Sequence, residues 1–219
     1  MNTEYQKSET VCFSGHRNIP AFELGSLKQR IQEAVRTAYN SGYRVFICGG
    51  ARGFDTLAAL EVLKHRSGHP DTRLVIAVPC LQQADRWPEK DRKIYRSILG
   101  QADEKVILSD FYYSGCMQNR NRYMVDSASL CICYMTRFEG GTWSTVRYAM
   151  RSALLVQNLA MPPGKGSTFK ETSWNCTYTS PSVQENASIV LLSHSRRLKN
   201  RRTHISTLYC RKQKQEKQR

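Results

Sequence analysis

Tyr43-Arg44-Val45-Phe46-Ile47-Cys48-Gly49-Gly50-Ala51-Arg52-Gly53-Phe54-Asp55-Thr56-Leu57-Ala58-Ala59 decides how the rest of the chain is read. Tyr43 to Cys48 is a short run of apolar and aromatic residues, the pattern of a buried strand. Gly49-Gly50 breaks it, and a helical pattern begins at Phe54 and runs to His65, with Leu57, Ala58, Leu60 and Leu63 as its apolar residues. Strand, glycine turn and helix in immediate succession make half of a β-α-β unit. The same alternation recurs on both sides.

Upstream, Val11-Cys12-Phe13 is a brief apolar run ending in Ser14-Gly15-His16-Arg17. Leu24, Leu27, Ile31, Ala34, Val35 and Ala38 then recur at helical spacing until Ser41-Gly42 stops them. Downstream, Leu74–Val78 predicts a third strand, the residues around Pro88–Leu99 a helix, and Lys105–Leu108 a fourth strand. Residues 109–117 read as loop, Asn119–Ser127 as a short helix and Leu130–Met135 as a fifth strand. Glu139-Gly140-Gly141-Thr142 opens a last amphipathic helix carrying Trp143, Val146, Met150, Ala153 and Leu154 on one face. Strands apolar on both faces, each separated by a helix, predict an α/β fold. The expected architecture is a Rossmann-like, doubly wound parallel sheet of about five strands over residues 11–158, after an N-terminal extension at 1–10.

From residue 159 the periodicity fails. Met161-Pro162-Pro163-Gly164-Lys165-Gly166-Ser167 has linker composition, and Ile189–Leu192 is the one strand-like run beyond it. Residues 159–219 read as a linker and a basic, weakly ordered C-terminal tail. The chain of 219 residues has a formal charge of +15, from 33 Lys+Arg and 18 Asp+Glu. That charge is uneven: residues 1–160 hold 21 basic and 15 acidic side chains, and residues 161–219 hold 12 and 3. The dense cluster Arg196-Arg197-Leu198-Lys199-Asn200-Arg201-Arg202 offers a nonspecific electrostatic surface to nucleic acid. It lacks the interleaved aromatics of a single-strand channel.

Composition also excludes classes. With 40% hydrophobic residues, wholesale disorder is excluded, and no apolar run reaches the length of a membrane span. The polar N-terminus is not a secretory signal, so a cytoplasmic protein with no membrane partner is expected. The cysteines at 12, 48, 131 and 133 lie inside apolar runs and behave as small hydrophobes. There is no Cys-x-x-Cys pair, so neither a metal site nor a resident cofactor is expected.

In an open parallel sheet, ligands bind beyond the carboxyl ends of the strands. The sequence places Ser14, Gly15, His16 and Arg17 after the first strand, and Gly49, Gly50, Arg52, Gly53 and Asp55 after the second. Gly140, Gly141 and Thr142 follow the fifth, and Arg122 on the preceding helix can reach the same crevice. Glycines at helix starts let backbone N–H groups approach an anion, and the arginines supply charge-assisted bonds. A glycine pair after a strand also makes a plain tight turn. His16 reads as an acid/base, a ligand donor or a structural loop residue. Asp55 reads as a helix cap or an acceptor for a ligand hydroxyl, and Trp87 as a stacking surface or a packed lid. Asp126, four residues after Arg122, reads as a simple ion-pair partner or as part of the crevice.

Four blocks of the sequence resemble the YpsA-like family of the SLOG superfamily. They are Cys12–Arg17, Gly49–Ala59, Arg122–Asp126 and Gly140–Ala149, in order and at sensible spacing over roughly residues 10–158. The superfamily also holds the lonely-guy phosphoribohydrolases and the DNA-processing protein A fold. The resemblance implies a Rossmann-like domain that binds a nucleotide or nucleotide-derived small molecule, and relatives that often form homo-oligomers. One departure bears on catalysis. The lonely-guy hydrolases carry Pro-Gly-Gly-x-Gly-Thr-x-x-Glu, whose glutamate serves the reaction. Here Glu139 stands at the proline, Trp143 at the third glycine and Arg147 at the glutamate. Binding survives that exchange more easily than hydrolysis. A nucleoside- or nucleotide-cleaving enzyme is the alternative, and Asp55, Asp85, Asp126 or Glu139 would have to activate its water. A nucleic-acid-binding protein that uses the basic tail is the third reading.

Overall fold

The computed structural model describes residues 5–160. The linker, the strand-like run at 189–192, the basic cluster at 196–202 and two of the cysteines lie outside the described residues. Six strands form one parallel sheet: β1 Thr10–Gly15, β2 Val45–Cys48, β3 Arg73–Val78, β4 Glu104–Ile107, β5 Leu130–Tyr134 and β6 Leu155–Asn158. Their order across the sheet is β4-β3-β2-β1-β5-β6. Five helices connect them: α1 Leu24–Asn40, α2 Phe54–Arg66, α3 Glu89–Gln101, α4 Cys116–Asp126 and α5 Gly140–Arg151. The Rossmann-like α/β expectation is met, with one strand more than expected.

The two cores follow from the period of a strand. Val11 and Phe13, Phe46 and Cys48, Leu74, Ile76 and Val78 pack in one cluster with Leu27 and Ile31 of α1, Ala58 and Val62 of α2 and Ile98 of α3. The intervening residues, Cys12, Val45, Ile47, Val75, Ala77, Cys131 and Cys133, pack with Met124 and Val125 of α4 and Val146 and Ala149 of α5. So α1, α2 and α3 cover one face, and α4 and α5 the other. Cys12 and Cys131 are register neighbours, and both are fully buried free thiols.

Several boundaries differ from the sequence reading, among them the end of α5, since Ala153 at φ +58 and Leu154 lie beyond Arg151 and outside the helix. Leu155-Val156-Gln157-Asn158 is β6, an edge strand in which only Val156 is buried. Two polar residues in four hid its period. Helix α4 begins at Cys116, earlier than the loop expected over 109–117, because Gly115 at φ +96 turns the chain into the helix.

The winding order sets the topological switch point. From β1 the chain steps outward through β2, β3 and β4, then returns to place β5 on the other flank of β1. The connection after β1 leads to α1 on one face, and that after β5 leads to α5 on the other. The strand ends of β1 and β5 therefore border the crevice at the topological switch point.

Candidate functional site

His16 ties the switch point together. Its backbone N–H donates to the Tyr134 carbonyl at 3.1 Å, and its carbonyl accepts from the Phe54 N–H at 3.2 Å. The ring Nε2 accepts from the Thr136 N–H at 3.0 Å, so that nitrogen carries no proton. Burial, then the nearby Arg137, holds the imidazole below its usual range, and Glu139 opposes them. The ring thus joins the end of β1 to the segment after β5 while its backbone reaches the start of α2. It forms part of the framework of the crevice.

The first two glycine blocks are packed against protein atoms. A Cβ on Gly15 would lie 2.4 Å from the Phe54 ring, and one on Gly49 would lie 1.6 Å from the Arg120 guanidinium. A Cβ on Gly53 would meet the Arg17 carbonyl oxygen at 2.1 Å, and Gly53 itself has φ +79. Gly50 at φ +59 lies under the Tyr95 ring. Ser14 is buried in β1, opposite Cys133. Of the two arginines expected here, Arg52 pairs with Asp91 of α3 at 3.0 Å, whereas Arg17 is exposed.

Arg120 is the residue that sequence reasoning missed. It is 5% exposed and donates to the Gly49 carbonyl, and its Nε donates to Asn121 Oδ1 at 2.7 Å. Gln83 adds bonds from Nε2 to the Gly49 and Gly50 carbonyls, at 3.1 and 3.2 Å. The glycine turn is therefore held from beneath by two side chains from distant segments. Asp55, at the first turn of α2, is also buried, and the Ala51 N–H donates to its Oδ2 at 3.4 Å. Burial pushes the Asp55 carboxyl up to about 6, and Arg120, the Ala51 and Gly49 N–H groups and Arg17 only partly offset it. The only sequence signal for Arg120 was an arginine two positions before one already singled out.

That carboxyl makes stability depend on pH. Its folded value of about 6 lies above the ordinary 3.8, so between the two values the folded chain binds more protons than the unfolded one. Its effect is to lower stability as pH rises from about 4 to about 6. Asp55→Asn keeps an oxygen for the Ala51 N–H and removes the buried charge. The variant is expected to match the parent at pH 4 and to exceed it by on the order of 2–3 kcal/mol at pH 7. Urea unfolding of both proteins at pH 4, 5, 6 and 7 measures this. A difference independent of pH would refute it.

The third glycine block is open. Nothing lies within 4 Å of a Cβ built on Gly140 or Gly141. Both glycines border a cavity of about 480 Å³ between α4 and α5. Asn121 and Arg122 of α4 and Ser144, Arg147 and Arg151 of α5 line it as well, together with Tyr148, and no carboxylate is among the lining residues. Asn121 Nδ2 donates to Thr145 Oγ1 at 2.8 Å, and Thr145 Oγ1 donates to the Gly141 carbonyl at 2.9 Å, so the two helices are pinned at the mouth. The Arg122 guanidinium lies 5.8 Å from the Tyr148 ring centre, and the Tyr148 hydroxyl donates to Asp126 at 2.9 Å. Asp126 is thus engaged by Tyr148. The lining runs along the side of α5 from Gly140 at its start to Arg151 at its end, so the free N–H groups of the first turn border only one end of the cavity.

The expected residues accordingly fall into two groups. Arg122, Gly140 and Gly141 line the cavity, while Thr142 sits beside it in the first turn of α5 and is not in the lining. Ser14, Gly15, His16, Arg17, Gly49, Gly50, Arg52, Gly53 and Asp55 border the strand ends outside it. Trp87 is half-buried against Tyr95, with ring centres 5.2 Å apart, as a packed lid would be. Among the described residues no cluster of His, Cys, Asp or Glu could hold a metal. Within the same residues no helix is long and apolar enough to cross a membrane.

The sequence pattern of the YspA SLOG family matches residues 3–157. The chain belongs to the YspA SLOG family. Relatives include a UPF0398 protein of Halalkalibacterium halodurans, 31% identical over 136 residues, which cover 60% of this chain and 69% of that one. The SPbeta prophage-derived protein YoqJ of Bacillus subtilis is 27% identical over 121 residues, covering 50% of this chain and 71% of its own. Among solved structures, DNA processing protein A of Streptococcus pneumoniae superposes with a TM-score of 0.53 at 18% identity, over 74% of this chain and 53% of that one. The Helicobacter pylori protein of the same name, described for its single-stranded DNA binding mode, gives 0.52 at 18% identity over 73% and 68%. At such identity these two structures share the fold. Arg147 lines the cavity beside Gly140 and Gly141.

Proposed function

We propose that the chain binds a nucleotide or nucleotide-derived ligand through its phosphate groups, in the cavity between α4 and α5. The observation that carries this reading is the lining: open Gly140 and Gly141 at a helix start, with Arg122, Arg147 and Arg151 and no carboxylate. Such a lining favours anions by backbone donors, by the helix dipole and by charge-assisted bonds together. Membership of the SLOG family supports a nucleotide ligand. The fold shared with a protein described for binding single-stranded DNA supports a phosphate-bearing partner more broadly.

Hydrolysis is disfavoured at this cavity. Asp55, Asp85, Asp126 and Glu139 are not among its lining residues, and the motif resemblance sets Arg147, a cation, where the lonely-guy hydrolases carry their glutamate. The protein handles or senses its ligand in this reading. A thermal-shift screen with mononucleotides, dinucleotides and ADP-ribose derivatives tests it, because a ligand bound only by the folded state raises the midpoint. At least one class is expected to stabilise the chain, and Arg147→Ala is expected to weaken that ligand about tenfold or more. No stabilisation at millimolar ligand would overturn the proposal. Binding unchanged in Arg147→Ala would move the site elsewhere.

A further inference from the structure

Between β4 and α4 the chain carries Phe111-Tyr112-Tyr113, three consecutive aromatics that are 74%, 67% and 43% exposed. Exposed rings in a run need a reason, because burying one of them elsewhere is worth several times the thermal energy. The backbone beneath them is fixed. Gln82 Nε2 donates to the Asp110 carbonyl at 3.1 Å, and the Tyr112 N–H donates to Gln82 Oε1 at 3.0 Å. The Ser109 hydroxyl donates to the Phe111 carbonyl at 2.7 Å and accepts from the Phe111 N–H at 3.3 Å. Asn119 of α4 donates to the Tyr113 hydroxyl at 3.2 Å, which fastens the segment to that helix. The rings face water on a scaffold that is already built.

The segment also leads into the cationic cavity. Gly115 starts α4, and the first-turn residues Met117 and Gln118 line that cavity, followed one turn later by Arg122. Three residues of chain therefore separate the run of exposed rings from a lining that holds three arginines and no carboxylate. These are the two elements of a single-strand site: a cationic groove for the phosphates and aromatic faces on which unpaired bases stack. A protein partner would want an apolar patch with a neutral surround, and the nearby charge does not supply one.

We infer that Phe111, Tyr112 and Tyr113 form a stacking platform for unpaired bases. The ligand at the α4/α5 cavity is then a single-stranded nucleic acid whose phosphates continue along Arg122 and Arg147. This rests on the reading of that cavity as a phosphate site and names the class of ligand it takes. The interior bases of a duplex are already stacked on both faces and cannot stack on the platform.

Fluorescence anisotropy with a labelled 20-nucleotide oligothymidylate, and with a duplex of equal length, tests the inference on the full chain. The single strand is expected to bind more tightly than the duplex. Phe111→Ala with Tyr112→Ala is expected to weaken the single strand at least tenfold while leaving the salt slope unchanged. Both side chains are largely exposed, so the fold is retained, and circular dichroism checks that. Arg147→Ala is expected to lower the salt slope instead. Equal binding of strand and duplex, indifferent to the double substitution, overturns the inference and assigns the affinity to electrostatics alone. Unchanged oligonucleotide binding with a fall in assembly size by light scattering overturns it too, and assigns the rings to self-association. A mononucleotide that stabilises the chain, with no effect of the double substitution on oligonucleotide binding, overturns the platform and leaves the phosphate cavity standing.

Discussion

Arg120→Ala is expected to lower the unfolding free energy by about 3–5 kcal/mol, the cost of removing a buried cation from groups arranged around it. The guanidinium is 5% exposed, donates to the Gly49 carbonyl and to Asn121 Oδ1, and opposes the upward shift of the Asp55 carboxyl. Without it the Gly49 carbonyl loses its charged donor, and the carboxyl loses its main compensating charge. A urea titration should show a lower midpoint with an unchanged slope. A paired substitution makes the test sharper. Gly49→Ala places a methyl 1.6 Å from the same guanidinium, so it should destabilise the parent protein. In the Arg120→Ala background the obstacle is gone, and the same change should cost little. The two substitutions must then be strongly non-additive. If Gly49→Ala costs the same in both backgrounds, the arginine does not fill that space.

Gly53→Ala should be comparably severe, at about 2–5 kcal/mol, for a different reason. Gly53 has φ +79 and ψ −120, a backbone conformation that an L side chain rarely adopts. The added methyl would also lie 2.1 Å from the carbonyl oxygen and 2.6 Å from the carbonyl carbon of Arg17. The obstacle is backbone, which cannot swing aside as a side chain can. Directly beside it the Phe54 N–H donates to the His16 carbonyl, so the two segments cannot separate without losing that bond. Gly141→Ala is the control, since nothing lies within 4 Å of the added carbon and the backbone is helical. Its effect on stability should stay within about 1 kcal/mol. Equal midpoint losses for both would mean that glycine content matters here and close approach does not.

These two cases show what can be read from a linear sequence and what cannot. The glycines themselves were legible, because Gly49-Gly50-x-x-Gly53 stands between an apolar run and a helical one. Their use was not. An identical motif serves a ligand or a neighbouring chain segment depending on what the fold brings against it. Gly15, Gly49 and Gly53 turn out to face Phe54, Arg120 and Arg17, whereas Gly140 and Gly141 face open space. Arg120 escaped notice because its partner is 71 residues away in sequence, and no local pattern encodes such a pair. Arg122 was legible through the family block, and the structure places it in the cavity lining.

The aromatic segment shows the same limit. Phe111-Tyr112-Tyr113 reads as loop in the sequence, where three rings are as readily core as surface. Only the bonds from Gln82 and Asn119 show the backbone fixed with the rings exposed. Charge behaves alike. The total of +15 pointed to the tail, while the arginines that line a cavity belong to the α/β domain.

The sequence by itself determined the alternation of strands and helices and the parallel sheet. Those follow from periodicity and from residues next to one another in the chain. Tertiary structure alone decided which glycines are open, which arginines are already engaged and that β1 and β5 flank the crevice. Those depend on contacts between residues far apart in sequence, set by the order in which the chain lays its strands across the sheet.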